Sequence, residues 1–293
     1  MAKKDIIATF SIVARDPETE ELGIAVQSKY LAVGSVVPWA KAGIGAIATQ
    51  ALTNPLYGNN GLELLTSGKY PSEVINILTT EDSHSETRQL GIVDASGRSA
   101  TFTGAECFEW AGGYAEKNIA IQGNIIESEK VINNMLYSYK NTDGPLADRL
   151  LAVLFAGQKA GGDRRGRQSA ALKVVKKNGG YRGFNDRYID LRVDDHKTPI
   201  KELRRLLDIF YLYYGENNAK NIEIKNDIVK VIKISLNVLS YYSGEINDIF
   251  DRELKESLET FYYYENFDDR DIEAGYIPED IFNYLKEKSE NIK

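Results

Sequence analysis

Residues 9–15 read TFSIVAR, and after the segment DPETEE the chain continues as LGIAVQSK at residues 22–29. Both runs have the length of a strand and are rich in apolar and β-branched residues, while the Asp-Pro pair between them favours a turn. We therefore predict a β-hairpin. Its first strand begins on a hydroxyl residue, Thr9, with only eight residues before it.

The short segment at residues 1–8 has two interpretations, and they imply different roles for Thr9. If the segment is a frayed terminus, Thr9 is an ordinary strand residue, since β-branched residues suit strands. If it is a pro-segment, its removal frees the α-amine of Thr9. That amine has a reference pKa of about 7.7–8.0 and can accept the proton of the neighbouring hydroxyl, so that Thr9 acts as a nucleophile without a histidine.

The order of the predicted elements indicates a layered fold. Strands, two helices, strands, two helices and strands follow one another, and helices inserted in pairs between antiparallel hairpins favour an α/β/β/α sandwich. The last third is predicted to be helical, and residues 200–293 carry 13 Lys and Arg against 20 Asp and Glu, which accounts for the whole net charge of −7. We therefore predict a leader or pro-segment at 1–8, a sandwich domain at 9–215 and a small all-α domain at 216–293.

Composition excludes several classes of protein. The chain lacks the basic footprint of a nucleic-acid binder and any apolar run long enough to span a membrane. With no signal peptide in its first residues, we expect a cytoplasmic protein. One cysteine, Cys107, and two histidines, His84 and His196, exclude a thiolate-rich zinc site and a metal site built on several imidazoles. We expect no metal and no cofactor.

Candidate site residues cluster near the ends of the predicted strands. An N-terminal nucleophile needs a nearby cation and donors for an oxyanion, although lysines at strand ends are often only solvated charges. Ser11 is a second hydroxyl on the same face as Thr9. The candidate cations are Lys29 and Lys41, and the candidate lining residues are Ser28, Thr49, Gln50, Asn54 and Asn124.

The segment AGGDRRGRQSAAL at 160–172 combines glycines, a carboxylate and three arginines just before a strand. Forked guanidinium groups on a flexible backbone suit a carboxylate-bearing ligand. The alternative is that Asp163 pairs with Arg164 or Arg167 and only holds the loop in place. The candidate ligand-binding residues of this loop are Asp163, Arg164, Arg165 and Gln168.

Three segments of the chain resemble a known family. The run TFSIVARDPETEELGIAVQSKYLAVGSVVPWAKAGIGAIATQALTNPLYG at 9–58, the tripeptide QGN at 122–124 and GGDRRGRQSAAL at 161–172 are similar to the bacterial and archaeal family called domain of unknown function 1028. The resemblance implies the fold of the N-terminal-nucleophile (Ntn) hydrolases, with Thr9 at the position of the nucleophile.

This sequence departs from the family pattern at its start. In many members the threonine directly follows the initiator methionine, whereas here the Ala8–Thr9 bond would have to be cleaved. Lys41, 32 residues after Thr9, resembles the proteasomal lysine in its location, and Gln27 stands about where that class carries an aspartate. Residues 236–270 are similar to a peptidoglycan-binding appendage of some members.

Three functional hypotheses follow. The first is an amide hydrolase that acts on a small carboxylate-bearing molecule through Thr9. The second is a non-catalytic ligand-binding protein of the same fold, with an unprocessed N-terminus. The third is a structural homo-oligomer assembled through the tyrosine-rich C-terminal region.

Overall fold

A computed structural model describes residues 9–214, 220–267, 270 and 275–292. The chain divides into two compact units, the first ending at Arg205 and the second beginning at Leu206. The strands of the first unit are β1 (Thr9–Arg15), β2 (Leu22–Ser28), β3 (Pro38–Lys41), β4 (Gly45–Ala51), β5 (Arg88–Asp94), β6 (Ser99–Thr103), β7 (Gly112–Glu116), β8 (Ile119–Asn124), β9 (Ser169–Val175) and β10 (Arg187–Val193). The helices are α1 (Leu56–Thr66), α2 (Pro71–Thr80), α3 (Lys130–Lys140), α4 (Leu146–Lys159) and α5 (Pro199–Tyr214), of which α5 extends past the boundary between the units.

The strands form two antiparallel sheets. The larger has the order β10-β9-β2-β1-β8-β7, and the smaller has the order β3-β4-β5-β6. Helices α3 and α4 cover the outer face of the six-stranded sheet, while α1 and α2 cover the four-stranded sheet. The predicted α/β/β/α sandwich is confirmed, and so is the hairpin of β1 and β2, in which Thr9 pairs with Ser28.

The space between the sheets changes character along the strands. Over most of its length it is filled by small and branched apolar residues, among them Val13, Ile24, Ala46 and Val93. At the end where β1 begins, polar side chains replace them, and Ser11, Gln50, Gln89 and Gln122 are all fully buried. The sandwich therefore carries an unusually polar layer within its core.

Two features of the first unit differ from the sequence prediction. Strands β3 and β7 were not predicted; both are short, with four and five residues. The sequence GLELLTSG at 61–68 predicts a helix that ends at Gly68, whereas helix α1 begins at Leu56 and includes Gly58. A Cβ at Gly58 would lie 2.1 Å from Cγ of Trp39, so only glycine at this position lets the helix pack closely on β3.

The second unit is mainly helical, as predicted. It contains α6 (Asp227–Val238), α7 (Arg252–Tyr264) and α8 (Glu279–Glu290), and also an unpredicted antiparallel pair, β11 (Asn221–Glu223) and β12 (Tyr276–Pro278). Its core combines aliphatic side chains with several aromatic ones, among them Phe261 and Phe267, whose ring centroids are 6.0 Å apart. Gly215, a residue type that often ends a helix and therefore predicts the end of α5, lies outside the described residues. None of the helices that the structure describes is long and apolar enough to cross a membrane.

Gly91 of β5 provides a test of the packing between the sheets. A Cβ at this position would lie 1.9 Å from Oε1 of Gln122 on the facing sheet. We expect Gly91→Ala to destabilise the protein by about 1–3 kcal/mol, because an added methyl group in a closely packed core forces its neighbours to shift. The measurement is the free energy of unfolding in urea.

A double-mutant cycle with Gln122→Ala identifies the cause. Truncation of Gln122 removes the atoms that the new methyl group meets, so the cost of Gly91→Ala should be clearly smaller in that background. An equal cost in both backgrounds would mean that contact with Gln122 does not explain the requirement for glycine.

Candidate functional site

Thr9 occupies a defined position at one end of the six-stranded sheet. It is the first residue of β1 and pairs with Ser28 of β2 on one side and with Asn124 of β8 on the other. All three residues are fully buried. The Thr9 hydroxyl donates a hydrogen bond to Oγ of Ser28 at 3.2 Å. The two hydroxyl-bearing residues that the sequence suggested are thus direct neighbours.

Four buried side chains lie beneath Thr9 and form what we call the glutamine layer. They are the side chains of Ser11, Gln50, Gln89 and Gln122. Ser11 Oγ donates to Gln50 Oε1 at 2.6 Å and accepts from Gln122 Nε2 at 2.6 Å. Gln50 Nε2 donates to Gln89 Oε1 at 2.8 Å and, at 3.4 Å, to the carbonyl oxygen of Thr9. Because Gln50 and Gln89 belong to one sheet and Ser11 and Gln122 to the other, these bonds join the two sheets.

Asn124 links Thr9 to the same layer. Its Nδ2 donates to Gln89 Oε1 at 3.0 Å. That bond uses one of the two N–H groups of the amide. Its Oδ1 is buried and has no hydrogen-bond partner within the described part of the chain. A buried polar atom without a partner is uncommon in folded proteins and calls for an explanation.

A cavity of about 80 Å³ lies beside Asn124. It has room for several water molecules or for a small group of a ligand. Its wall includes Ala51 and Leu52 at the end of β4 and Cys107 and Phe108 from the connection between β6 and β7. Because Asn124 pairs with Thr9, the cavity lies at the end of the sandwich where β1 begins.

Cys107 does not provide a second nucleophile in this cavity. Burial raises the pKa of its thiol to about 11, although a backbone hydrogen bond from Gly104 acts in the opposite direction. Its sulfur also lies 3.3 Å from the carbonyl oxygen of Arg88, to which the thiol donates. The reactive form of cysteine is the thiolate, so this side chain stays unreactive near neutral pH.

The arginine-rich loop lies against the end of β2. The buried carboxylate of Asp163 accepts hydrogen bonds from the backbone N–H of Lys29 at 2.7 Å and of Arg165 at 2.8 Å, and it pairs with the Arg165 guanidinium at 3.4 Å. The backbone N–H of Gln168 donates to the carbonyl oxygen of Ser28 at 3.0 Å. Asp163 therefore holds the loop in place, as the alternative interpretation expected, although its partner is Arg165.

Two exposed cations flank the position of Thr9. Lys29 directly follows Ser28, and its side chain passes beside Gly166. Arg164 is also exposed, and its backbone N–H donates to the carbonyl oxygen of Ile125, the residue after Asn124. Both cations are thus attached next to the strands that border Thr9.

The structure does not bring Lys41 to Thr9. Lys41 pairs with Gly45, which lies five residues along β4 from Gln50, a distance of about 17 Å in a strand. The backbone N–H of the next residue, Ala42, donates to Asp186 at 2.8 Å, at the opposite end of the six-stranded sheet. The position of Lys41 in the sequence resembles that of the proteasomal lysine, but its position in this fold does not place it beside the hydroxyl.

Thr49 and Asn54 also lie apart from Thr9. Along β4, Ala46, Ala48 and Gln50 face the other sheet, so that Thr49 points towards the helical layer of α1 and α2. There its hydroxyl donates to the carbonyl oxygen of Asn54 at 3.3 Å.

The side chain of Asn54 belongs to an ionic cluster around Asp82. Asn54 Nδ2 lies 3.5 Å from Asp82, which also accepts hydrogen bonds from Tyr57 at 2.9 Å and from Arg88 at 2.8 Å. Burial alone would raise the pKa of Asp82, but the hydrogen bonds from Arg88, from the backbone N–H of His84 and from Tyr57 outweigh it and hold the pKa below its usual range.

Sequence reasoning missed two members of the glutamine layer, Gln89 on the smaller sheet and Gln122 on the same sheet as Thr9. Gln89 stands in the apolar strand RQLGIVD, and Gln122 stands in IAIQGN. The available signal was a single amide side chain inside an otherwise apolar strand. Such an amide indicates a buried polar partner, since buried polar groups need partners. In the regions that the structure covers, no group of three or more His, Cys, Asp or Glu residues could hold a metal ion.

Comparison with known proteins shows which family the first unit represents. Residues 9–203 match the family described as "Family of unknown function (DUF1028)", and residues 213–285 match the one described as "Putative peptidoglycan binding domain". The chain therefore belongs to the family of unknown function DUF1028, and both resemblances stated from the sequence are confirmed. No curated protein matches the chain.

A solved structure supports this assignment. The crystal structure of protein SPO2555 from Silicibacter pomeroyi, which carries the same family designation, is 31% identical in sequence, with a TM-score of 0.64. The match covers 70% of this chain and 89% of that one. It extends the family relationship from sequence to fold, while the family itself is one of unknown function.

Gln50 and Gln27 provide a matched pair of variants that tests the glutamine layer. Both side chains are fully buried, but Gln50 is hydrogen-bonded on all sides, whereas neither polar atom of the Gln27 side chain has a partner among the described residues. We expect Gln50→Leu to cost about 2 kcal/mol or more, because it leaves the buried Ser11 hydroxyl without its acceptor and removes one of the two donors to Gln89 Oε1. Gln27→Leu should be neutral or stabilising, since an apolar group of similar size replaces an unpaired amide.

Urea unfolding of the two variants, analysed together with the wild type, gives the comparison. If Gln27→Leu proved as costly as Gln50→Leu, the hydrogen bonds of the layer would not be what stabilises this end of the sandwich.

Proposed function

We propose that the protein is an Ntn-type amide hydrolase in which Thr9 is the nucleophile. The observation that carries the proposal is the position of Thr9. Its hydroxyl lies at the first residue of a central strand, beside Ser28 and Asn124, at the end of the sandwich that holds a cavity. The match to the DUF1028 family over residues 9–203 supports the resemblance from which the Ntn assignment was made.

The chemistry would begin with cleavage of the Ala8–Thr9 bond. The freed α-amine of Thr9 would take the proton of its own hydroxyl while Oγ forms a bond to the substrate carbonyl carbon. The resulting oxyanion needs donors, and the second N–H of the amide of Asn124, the residue that pairs with Thr9 on β8, would supply one. Collapse would break the C–N bond, with the α-ammonium protonating the leaving amine, and water would then hydrolyse the ester on Thr9.

The substrate class follows from the charges around this position. Lys29 and Arg164 are exposed and attached next to the two strands that border Thr9. A carboxylate on the substrate would pair with them, and electrostatic attraction would favour its approach. We therefore propose a small amide that carries a carboxylate. A small-molecule substrate, a homo-oligomeric state and a cytoplasmic location stay predictions.

Substitution of Thr9 tests the reaction. We expect release of amine or ammonia from a panel of small carboxylate-bearing amides, such as N-acyl amino acids and γ-glutamyl amides. Thr9→Ala should lower the rate at least about a thousandfold, since it removes the nucleophile. Thr9→Ser should keep measurable turnover. The control is Thr80→Ala, an exposed threonine at the end of α2. Hydrolysis by Thr9→Ala at the wild-type rate would contradict the proposal.

A second proposal is a non-catalytic ligand-binding protein of the same fold. It is supported by the complete burial of Thr9 and by the hydrogen bond of its hydroxyl to Ser28. In that case, a ligand of the exposed cations Lys29 and Arg164 would bind equally well to wild type and to Thr9→Ala, and neither protein would alter it.

A further inference from the structure

A second cavity, of about 190 Å³, lies on the opposite face of the six-stranded sheet from the Thr9 hydroxyl. It is formed by the last turn of α4, the segment just before β9 and the first turn of α5. The Phe10 side chain shows which face this is, because it reaches Gly157 of α4, whereas Ser11 points to the four-stranded sheet. The cavity is therefore a place separate from the proposed hydrolase site.

Three cations from three different segments line this cavity: Lys159, Arg167 and Lys201. Among the residues that the structure describes, no carboxylate contributes to its wall. Within the described residues, none of the three cations forms an ion pair. The carboxylate nearest in sequence to Lys201, that of Glu202, is bound to Arg205 at 2.6 Å. Like charges that share one cavity repel one another, and an anion between them would relieve the repulsion.

Lys201 is the cation of this set whose position in its helix is electrostatically unfavourable. Lys159 lies in the last turn of α4, where a cation is favourable. Lys201 lies in the first turn of α5, the positive end of a 16-residue helix, where a cation is unfavourable. Pro199 precedes it and has no N–H, while the next N–H groups have no acceptor within the helix. The side chain of Lys201 and the N-terminal end of α5 thus both contribute positive charge to the cavity.

The remaining residues of the cavity wall indicate what a ligand carries besides its negative charge. Phe155, Pro199 and Ile200 supply apolar surface. Three cations exceed what a single carboxylate would balance, whereas a phosphate monoester carries a charge near −2 and accepts from a guanidinium fork. We propose that this cavity binds a small phosphate monoester, its phosphate between Lys159, Arg167 and Lys201 and its apolar part against Phe155.

Calorimetric titration of the full chain with phenyl phosphate tests this assignment. We expect phenyl phosphate to bind more tightly than inorganic phosphate, which lacks the apolar part, and than benzoate, which lacks the second charge. Arg167→Gln and Lys201→Gln should each weaken phenyl phosphate binding about tenfold or more, as expected for loss of a charge-assisted hydrogen bond. The matched control is Lys69→Gln, an exposed lysine after α1 that does not line the cavity.

Thermal unfolding at low salt adds a measurement that does not depend on the choice of ligand. Lys201→Glu should raise the melting temperature of the ligand-free protein, because it replaces a repulsion by an attraction, and it should abolish the stabilisation by phenyl phosphate. The proposal would be overturned if phenyl phosphate did not bind at millimolar concentration. It would also be overturned if Lys69→Gln weakened binding as much as the cavity variants, or if Lys201→Glu lowered the melting temperature.

Discussion

Hydrogen bonds between buried amides connect the two sheets of the sandwich, and the proposed site depends on them. Ser11 and Gln122 come from one sheet and Gln50 and Gln89 from the other, all without exposure to solvent. Such a polar layer is favourable only when its members satisfy one another, since each unsatisfied buried group costs about 1–3 kcal/mol. The bonds therefore fix one register between the sheets, where an apolar core would tolerate small displacements.

That register determines what surrounds Thr9. Gln50 reaches the carbonyl oxygen of Thr9, and Gln89 holds the amide of Asn124. The loop on the other side is fixed by Asp163, which accepts the backbone N–H of Lys29. Thr9 is thus enclosed by rigid strands and a pinned loop, an arrangement suited to holding reacting groups in position. The phosphate cavity that we propose lies behind the same sheet and uses none of these residues.

The sequence predicted the fold better than the site, and β4 shows why. The order of strands and paired helices indicated the four layers, because helices inserted in pairs between antiparallel hairpins can cover the outer faces of two stacked sheets. Strand β4, GAIATQA, is buried on both faces, so its sequence does not say whether Thr49 or Gln50 faces the other sheet. Lys41 was assigned to the site by its spacing from Thr9 in the sequence. That spacing does not say at which end of the sheet Lys41 lies. The partners of Gln89 and Gln122 arise only from the packing of one sheet on the other.

In the proposed reaction Thr9 acts through a free α-amine, so the measurement to make first is the intact mass of the purified protein together with its N-terminal residue. We expect a chain that lacks residues 1–8 and begins with Thr9. A protein that keeps Ala8 joined to Thr9 after prolonged incubation would contradict the proposed reaction, because the hydroxyl would then have no α-amine to accept its proton.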